Sequence, residues 1–171
     1  MSPFIGDTAR FEPRRGGARH VATAVLAWLL GSLLALAACS SPPKPTLVSA
    51  TLKAGTDVNP DLRKRASPIV VRVYELKSSA AFEGADFVSL YERDQATLAA
   101  EMGAREEFTL RPGETRQWDK ATAPDTKFIG VMAAFRDIEH ARWKSIVPVK
   151  ANAKNTVSIR LDQVGVDATV Q

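Results

Sequence analysis

The chain has 171 residues, 45% of them hydrophobic and 25% charged, with a formal net charge of +4, one cysteine and two histidines. That length fits one folded domain, and the composition excludes wholesale disorder. A single cysteine excludes an internal disulfide framework and, with only two histidines, starves a Cys/His zinc site of ligands. The charge is too mild to argue for nucleic acid.

The N-terminus reads as an address. Arg10, Arg14, Arg15 and Arg19 precede an apolar run from Val21 to Leu36. That run is too short for a spanning helix, which needs about 20 residues, and has the order of a secretory signal peptide. Arg14-Arg15 is followed by Gly16-Gly17 without a twin-arginine context, so the general secretory route is expected. The run ends in Leu36-Ala37-Ala38-Cys39, which resembles a bacterial lipobox. Small residues admit the peptidase, and the Cys39 thiolate is the nucleophile that takes the diacylglyceryl group. Cleavage between Ala38 and Cys39 is expected, leaving a mature chain with a covalent lipid at Cys39. Two or more acyl chains anchor stably where one binds marginally. Ser40 stands where an Asp would retain a lipoprotein at the inner membrane, so the outer membrane is the expected destination, with the domain facing the periplasm. Residues 1–38 form the expected signal peptide. After its loss, basic and acidic residues nearly balance.

Residues 39–45 read as a lipidated cysteine and a tether. Pro42, Pro43 and Pro45 favour an extended polyproline conformation there. Residues 46–171 read as one β-sandwich domain. Leu47–Lys53 alternates as a first strand, with Val48, Ala50 and Leu52 on one face. A loop of about 13 residues, 55–67, carries Asn59-Pro60 and a charge run. Ile69–Leu76 is a second strand opened by Pro68. From Ser79 to about Met102 the alternation stops. Asp86 is placed to cap a helix bearing Phe87, Leu90 and Tyr91, and Asp94 a second one through Leu98. These helices are expected over one end of the sheet, with Phe82, Phe87, Leu90 and Tyr91 packed in the core.

Strands then resume. Glu107–Leu110 and Thr115–Trp118 flank the turn Arg111-Pro112-Gly113-Glu114, where proline presets φ and glycine supplies a positive φ. Lys127–Arg136 is apolar on both faces, as a central strand would be. Asp137–Ala141 turns the chain and Arg142–Val149 pairs back. Thr156–Leu161 alternates with Val157, Ile159 and Leu161 inward, and Val164, Val166, Ala168 and Val170 repeat the pattern. Seven or eight short strands with a helical insertion predict a mainly β, antiparallel sandwich.

The inventory is poor for catalysis. His140 is the one histidine after residue 38. It lies in a turn with Asp137 and Glu139, and no second His or Cys completes a site. No Gly-rich phosphate loop and no marked nucleophile occur, so no enzyme activity, no metal and no cofactor are expected. Arg63-Lys64-Arg65 is the one dense basic run, suited to acidic head groups or an acidic partner. The loop around it is longer than a strand connection needs, and it is expected to expose Val58 and Leu62.

Order and spacing along the domain resemble the outer-membrane lipoprotein family of type VI secretion systems (TssJ, SciN, VasD). The resemblance rests on Asn59-Pro60-Asp61 with Ser67 to Leu76, on Ala85-Asp86-Phe87 with Leu90 and Tyr91, on Leu110 to Glu114, and on Phe135-Arg136-Asp137 through Trp143. Glu75 stands where the family pattern has Gln, and Ile138-Glu139-His140 varies a loop. The resemblance implies a transthyretin-like β-sandwich and a non-enzymatic role. It implies anchoring of a trans-envelope complex through the periplasmic C-terminal region of the inner-membrane protein TssM, itself joined by TssL. The contact it implies is the loop between the first two strands, here Asp57, Val58, Asn59, Asp61, Leu62, Arg63, Lys64 and Arg65. Two other classes remain open. A periplasmic ligand-binding lipoprotein would need an apolar pocket between sheet and helices, and an enzyme on the same scaffold would need converging polar residues.

Overall fold

Apolar residues alternate along most of the strands, and a half-buried sheet is the arrangement that hides a period-two pattern. The computed structural model describes residues 44–171; the signal sequence, Ala38, Cys39 and residues 40–43 of the tether lie outside them. The elements are β1 (Thr46–Ala54), β2 (Ile69–Leu76), α1 (Ala80–Gly84), α2 (Phe87–Leu98), a 3-10 turn (Ala99–Glu101), β3 (Met102–Leu110), β4 (Thr115–Thr122), β5 (Phe128–Ala133), β6 (Lys144–Pro148), β7 (Lys154–Leu161) and β8 (Val166–Val170).

Two four-stranded sheets, ordered β4-β1-β7-β8 and β3-β2-β5-β6, face each other. Every pairing between these strands is antiparallel except β1 with β7, which is parallel from Leu47 opposite Lys154 to Ala54 opposite Leu161. The core between the sheets takes the alternate residues of each strand. Val48, Ala50 and Leu52 meet Val157, Ile159 and Leu161 from one sheet, and Val71, Val73, Ile129 and Val131 from the other. Val164 and Val170 do not continue the buried pattern: both are exposed, while Val166 and Ala168 are buried. Strand β5 is interior to its sheet and buried on both faces, as its apolar sequence requires.

The helices lie over the outer face of the β3-β2-β5-β6 sheet, rather than over one end of it. The cause is the outward row Tyr74, Leu76 and Met132, which needs a cover; Phe82, Leu90 and Leu98 supply it. Gly130 lets this happen, because a Cβ there would stand 2.9 Å from Leu76 Cδ1 and 3.1 Å from the Phe82 ring. Tyr91 is not in this core. It is 40% exposed, stacked on Phe87, with the Arg72 guanidinium over its ring. Asp86 caps α2 by accepting from the Ser89 N–H at 2.9 Å. The helix breaks at Arg93 (φ −138°), and Asp94 accepts from the Gln95 N–H, so the two capping aspartates do start two helical segments.

Asp94 also organises the interface beneath it. Its carboxylate accepts from Tyr74 Oη at 3.2 Å and from Arg105 at 2.5 Å, with Arg72 at 3.6 Å. Burial pushes the Tyr74 phenol up to about 12. Lys144 secures α1 from the other side, its ammonium donating to the carbonyls of Phe82, Glu83 and Ala85. The space between sheet and helices, where a ligand pocket would sit, is filled by these side chains.

Candidate functional site

The loop between β1 and β2 has a buried stem and an exposed tip. Val58 was expected at the surface and is wholly buried in the sandwich core. Its apolar side chain plugs the open end of the sandwich, and its carbonyl accepts from the Ser67 N–H at 3.1 Å, closing the neck of the loop. Asn59 is buried too, at a positive φ of 50° that asparagine tolerates better than most residues. Its side-chain amide donates to the Pro68 carbonyl and its oxygen accepts from the Arg136 N–H, both at 2.8 Å. Asn59 thereby ties this loop to the β5–β6 connection. Neither Val58 nor Asn59 is free to touch a partner.

Beyond the neck the chain makes one tight turn around Asp61. The carboxylate accepts from the backbone N–H of Arg63 at 2.8 Å and of Arg65 at 3.0 Å, and pairs with the Arg65 guanidinium at 2.7 Å. Those donors hold the Asp61 carboxyl below its ordinary value, the Arg65 backbone N–H first. Lys64 completes the turn at φ 62°. The result is that Leu62 stands fully exposed, flanked by exposed Arg63 and Lys64. A leucine in water stabilises nothing in the monomer, and the tip is short of apolar neighbours that could cover it.

Three connections surround this tip. Asp57 is exposed and accepts from the Gln163 side chain at 2.8 Å, linking the loop to the β7–β8 turn. Pro60 to Arg65, Arg136, Asp137, Gln163 and Val164 line an open depression of about 840 Å³. Val164 is 40% exposed here, a second apolar side chain on the same end, and nothing in its strand pattern distinguished it from the buried valines. On the far side, Gly113 (φ 78°) occupies the turn position that requires it, and donates its N–H to the Gly55 carbonyl at 3.0 Å. Arg136, Gln163 and Val164 carry no sequence signal as site residues; only the pairing of the strands brings their loops beside the tip.

His140 is exposed at the β5–β6 connection and bonds Asp137 at 2.8 Å; that carboxylate raises its pKa. Among the described residues no group of three or more His, Cys, Asp and Glu could hold a metal ion. The depression is open and lined by charges of both signs, which suits a docking protein surface better than an enclosed small molecule.

The family model described as type VI secretion lipoprotein (VasD, EvfM, TssJ) matches residues 46–164. The chain belongs to this type VI secretion lipoprotein family. Solved relatives agree. The lipoprotein TssJ1 from Pseudomonas aeruginosa superposes with a TM-score of 0.72 at 32% identity, over 74% of this chain and 97% of that one. Serratia marcescens Lip, described as a membrane-bound component of the type VI secretion system, gives 0.68 at 25% identity, over 74% and 98%. A chain in a structure described as the TssM C-terminal domain (869-1107) from EAEC gives 0.59 at 25% identity, over 72% and 99%. No curated protein sequence matches the chain. The lipoprotein character of the family agrees with the lipobox, and its solved members superpose on the described domain over nearly their whole length.

Proposed function

We propose that this protein is a non-enzymatic outer-membrane lipoprotein, cleaved after Ala38 and acylated at Cys39, that anchors the type VI trans-envelope complex. In this reading the tip of the β1–β2 loop holds the periplasmic C-terminal region of TssM, which TssL joins at the inner membrane. The lipid is the one non-protein group it needs. The observation that carries the reading is the fully exposed Leu62, presented on a turn built by Asp61 and on a stem locked by Val58 and Asn59. An apolar anchor ringed by Arg63 and Lys64 is how a small interface concentrates its binding energy.

The EAEC structure supports the choice of partner. A domain running from 869 to 1107 has more residues than this whole chain, yet this chain covers 99% of the chain it matches there. The matched chain is thus shorter than that domain, which supports reading it as a small protein held beside TssM. A single loop contact predicts weak-to-moderate affinity, which repetition around an oligomeric complex would raise through avidity. The test has two readouts in cells. Palmitate labelling and outer-membrane fractionation should both be lost in Cys39→Ser, and TssM capture by the full-length protein should be lost in Leu62→Asp. Unchanged labelling of Cys39→Ser rejects the anchor; unchanged capture by Leu62→Asp rejects the site.

A further inference from the structure

The two ends of the sandwich differ in charge. Strand β1 runs nine residues from Thr46 to Ala54, about 30 Å at strand rise. The end where the chain enters the domain is therefore opposite to the end that presents Leu62. The entry end is built from Lys44 and Pro45, the exit of β2 at Lys77, the β4–β5 connection ending at Lys127, and the β6–β7 connection through Lys150 into Lys154. Pairing keeps these together. Leu47 lies opposite Lys154, the Lys127 N–H donates to the Leu76 carbonyl at 2.8 Å, and the Val149 N–H donates to the Lys127 carbonyl at 2.9 Å.

Lys44, Lys77, Lys127, Lys150 and Lys154 are all exposed there. Few acids answer them. Asp125 pairs with Lys77 at 3.0 Å, and Glu101 is turned back to accept from the Ala81 N–H. No arginine lies among residues 44–45, 77–79, 123–127 or 149–154. At the loop end, by contrast, Arg63, Lys64, Arg65, Arg136 and Arg142 are balanced by Asp57, Asp61, Asp137, Glu139 and Asp162. The positive excess of the described residues is thus concentrated at the entry end.

We propose that the lysine-bearing entry end rests on an anionic phospholipid surface and so points the Leu62 tip away from the membrane. This rests on acylation at Cys39. Four residues separate Cys39 from Lys44, so five peptide steps give a reach of at most about 18 Å, shorter than the sandwich itself. A lipid at Cys39 therefore keeps these lysines near head groups, while the tip lies a further strand length away. Exposed charges act over about 8 Å at physiological ionic strength, so only an end-down domain brings all five within range. Lysine suits the task, because a flexible stem with a compact ammonium meets phosphates without a fixed geometry. Each lysine near an anionic surface favours the docked pose roughly fivefold.

The test uses the full acylated protein, its acyl mass checked by mass spectrometry, in vesicles of phosphatidylglycerol and phosphatidylethanolamine or of phosphatidylcholine alone. With Cys39 acylated, an introduced cysteine is the sole thiol for a fluorophore, placed by Ala151→Cys at the entry end or by Leu62→Cys at the tip. A nitroxide on the lipid head groups should quench the first label and spare the second, on the anionic vesicles only. About 0.5 M salt should abolish that difference, as should Lys127→Glu, Lys150→Glu and Lys154→Glu together, with folding checked by circular dichroism. Equal quenching at both positions, or quenching untouched by the charge reversal, overturns the proposal while leaving the anchor standing. A protein without the acyl mass overturns the anchor and the proposal with it. Reversal that abolishes TssM capture in detergent but leaves quenching intact assigns the lysines to a protein partner and overturns the proposal.

Discussion

Asp61 and Asp94 do the same chemistry in two places with opposite consequences. Asp61 gathers two backbone N–H groups and one arginine; Asp94 gathers one backbone N–H, a phenol and two arginines. The Asp61 side chain is 20% exposed and its Arg65 partner 71%, whereas Asp94 is 7% exposed, its Arg105 partner 38% and its Arg72 neighbour 12%. Water competes for every bond at the tip, and beneath the helices it reaches the hub mainly through Arg105. The tip hub can therefore shape a loop without contributing much to stability. The buried hub fastens the helical cover to the sheet, and its loss leaves charges stranded. Presentation is built where contacts are few, and stability is built on the other face.

The contrast breaks most visibly at Asp94. Asp94→Ala leaves the Tyr74 hydroxyl and the partly solvated Arg105 without their acceptor, and should cost about 2–3 kcal/mol. For a domain of this size that lowers the melting temperature by on the order of 10 °C in calorimetry. A loss of one or two degrees would make the buried hub no different from the exposed one.

Alkaline titration probes the same hub without mutation. The Tyr74 phenol is raised from its ordinary value of 10.0 to about 12, so the folded state prefers it neutral. That contribution is complete below pH 10 and is lost as the pH rises towards 12, at about 1.4 kcal/mol per unit. Chemical denaturation at pH 9 and pH 11.5 should show the decline, and Tyr74→Phe should flatten that part of it.

Asn59→Ala comes next. It removes the acceptor of the Arg136 N–H and places alanine at φ 50°, for a cost of about 2 kcal/mol. Because it unties the loop from the β5–β6 connection, it should also broaden the amide resonances of residues 60–66. Asp61→Ala should leave global stability nearly unchanged, because water competes for its bonds, while abolishing the turn that displays Leu62, so partner affinity should fall far more than stability. Equal losses of both would merge the two regions into one.

Much of this architecture was legible because alternation is a local signal. The first two strands, the Pro112-Gly113 turn, the Asp86 cap and the break before Asp94 are all encoded within a few residues of where they act. Val58 was not legible. One valine in a polar loop looks exposed until the open end of a sandwich is seen to need a plug. Tyr91 failed in the other direction, since helical spacing put it with Leu90 although the Arg72 side chain gives its ring a surface partner. The parallel β1–β7 pair and the arrival of Val164 beside the tip depend on pairings more than 100 residues apart, which no local pattern carries. The family resemblance pointed to the loop, and the fold sorted its residues into those that brace and those that reach outward.

The most direct measurement is titration calorimetry of the 44–171 domain against the periplasmic C-terminal region of TssM, comparing wild type with Leu62→Asp. The domain should bind saturably, and the variant should melt within about 0.5 kcal/mol of wild type yet lose about 2 kcal/mol or more of binding, some thirtyfold in affinity. A variant that binds as the wild type does, while folded, would contradict the assignment of the tip as the anchoring surface.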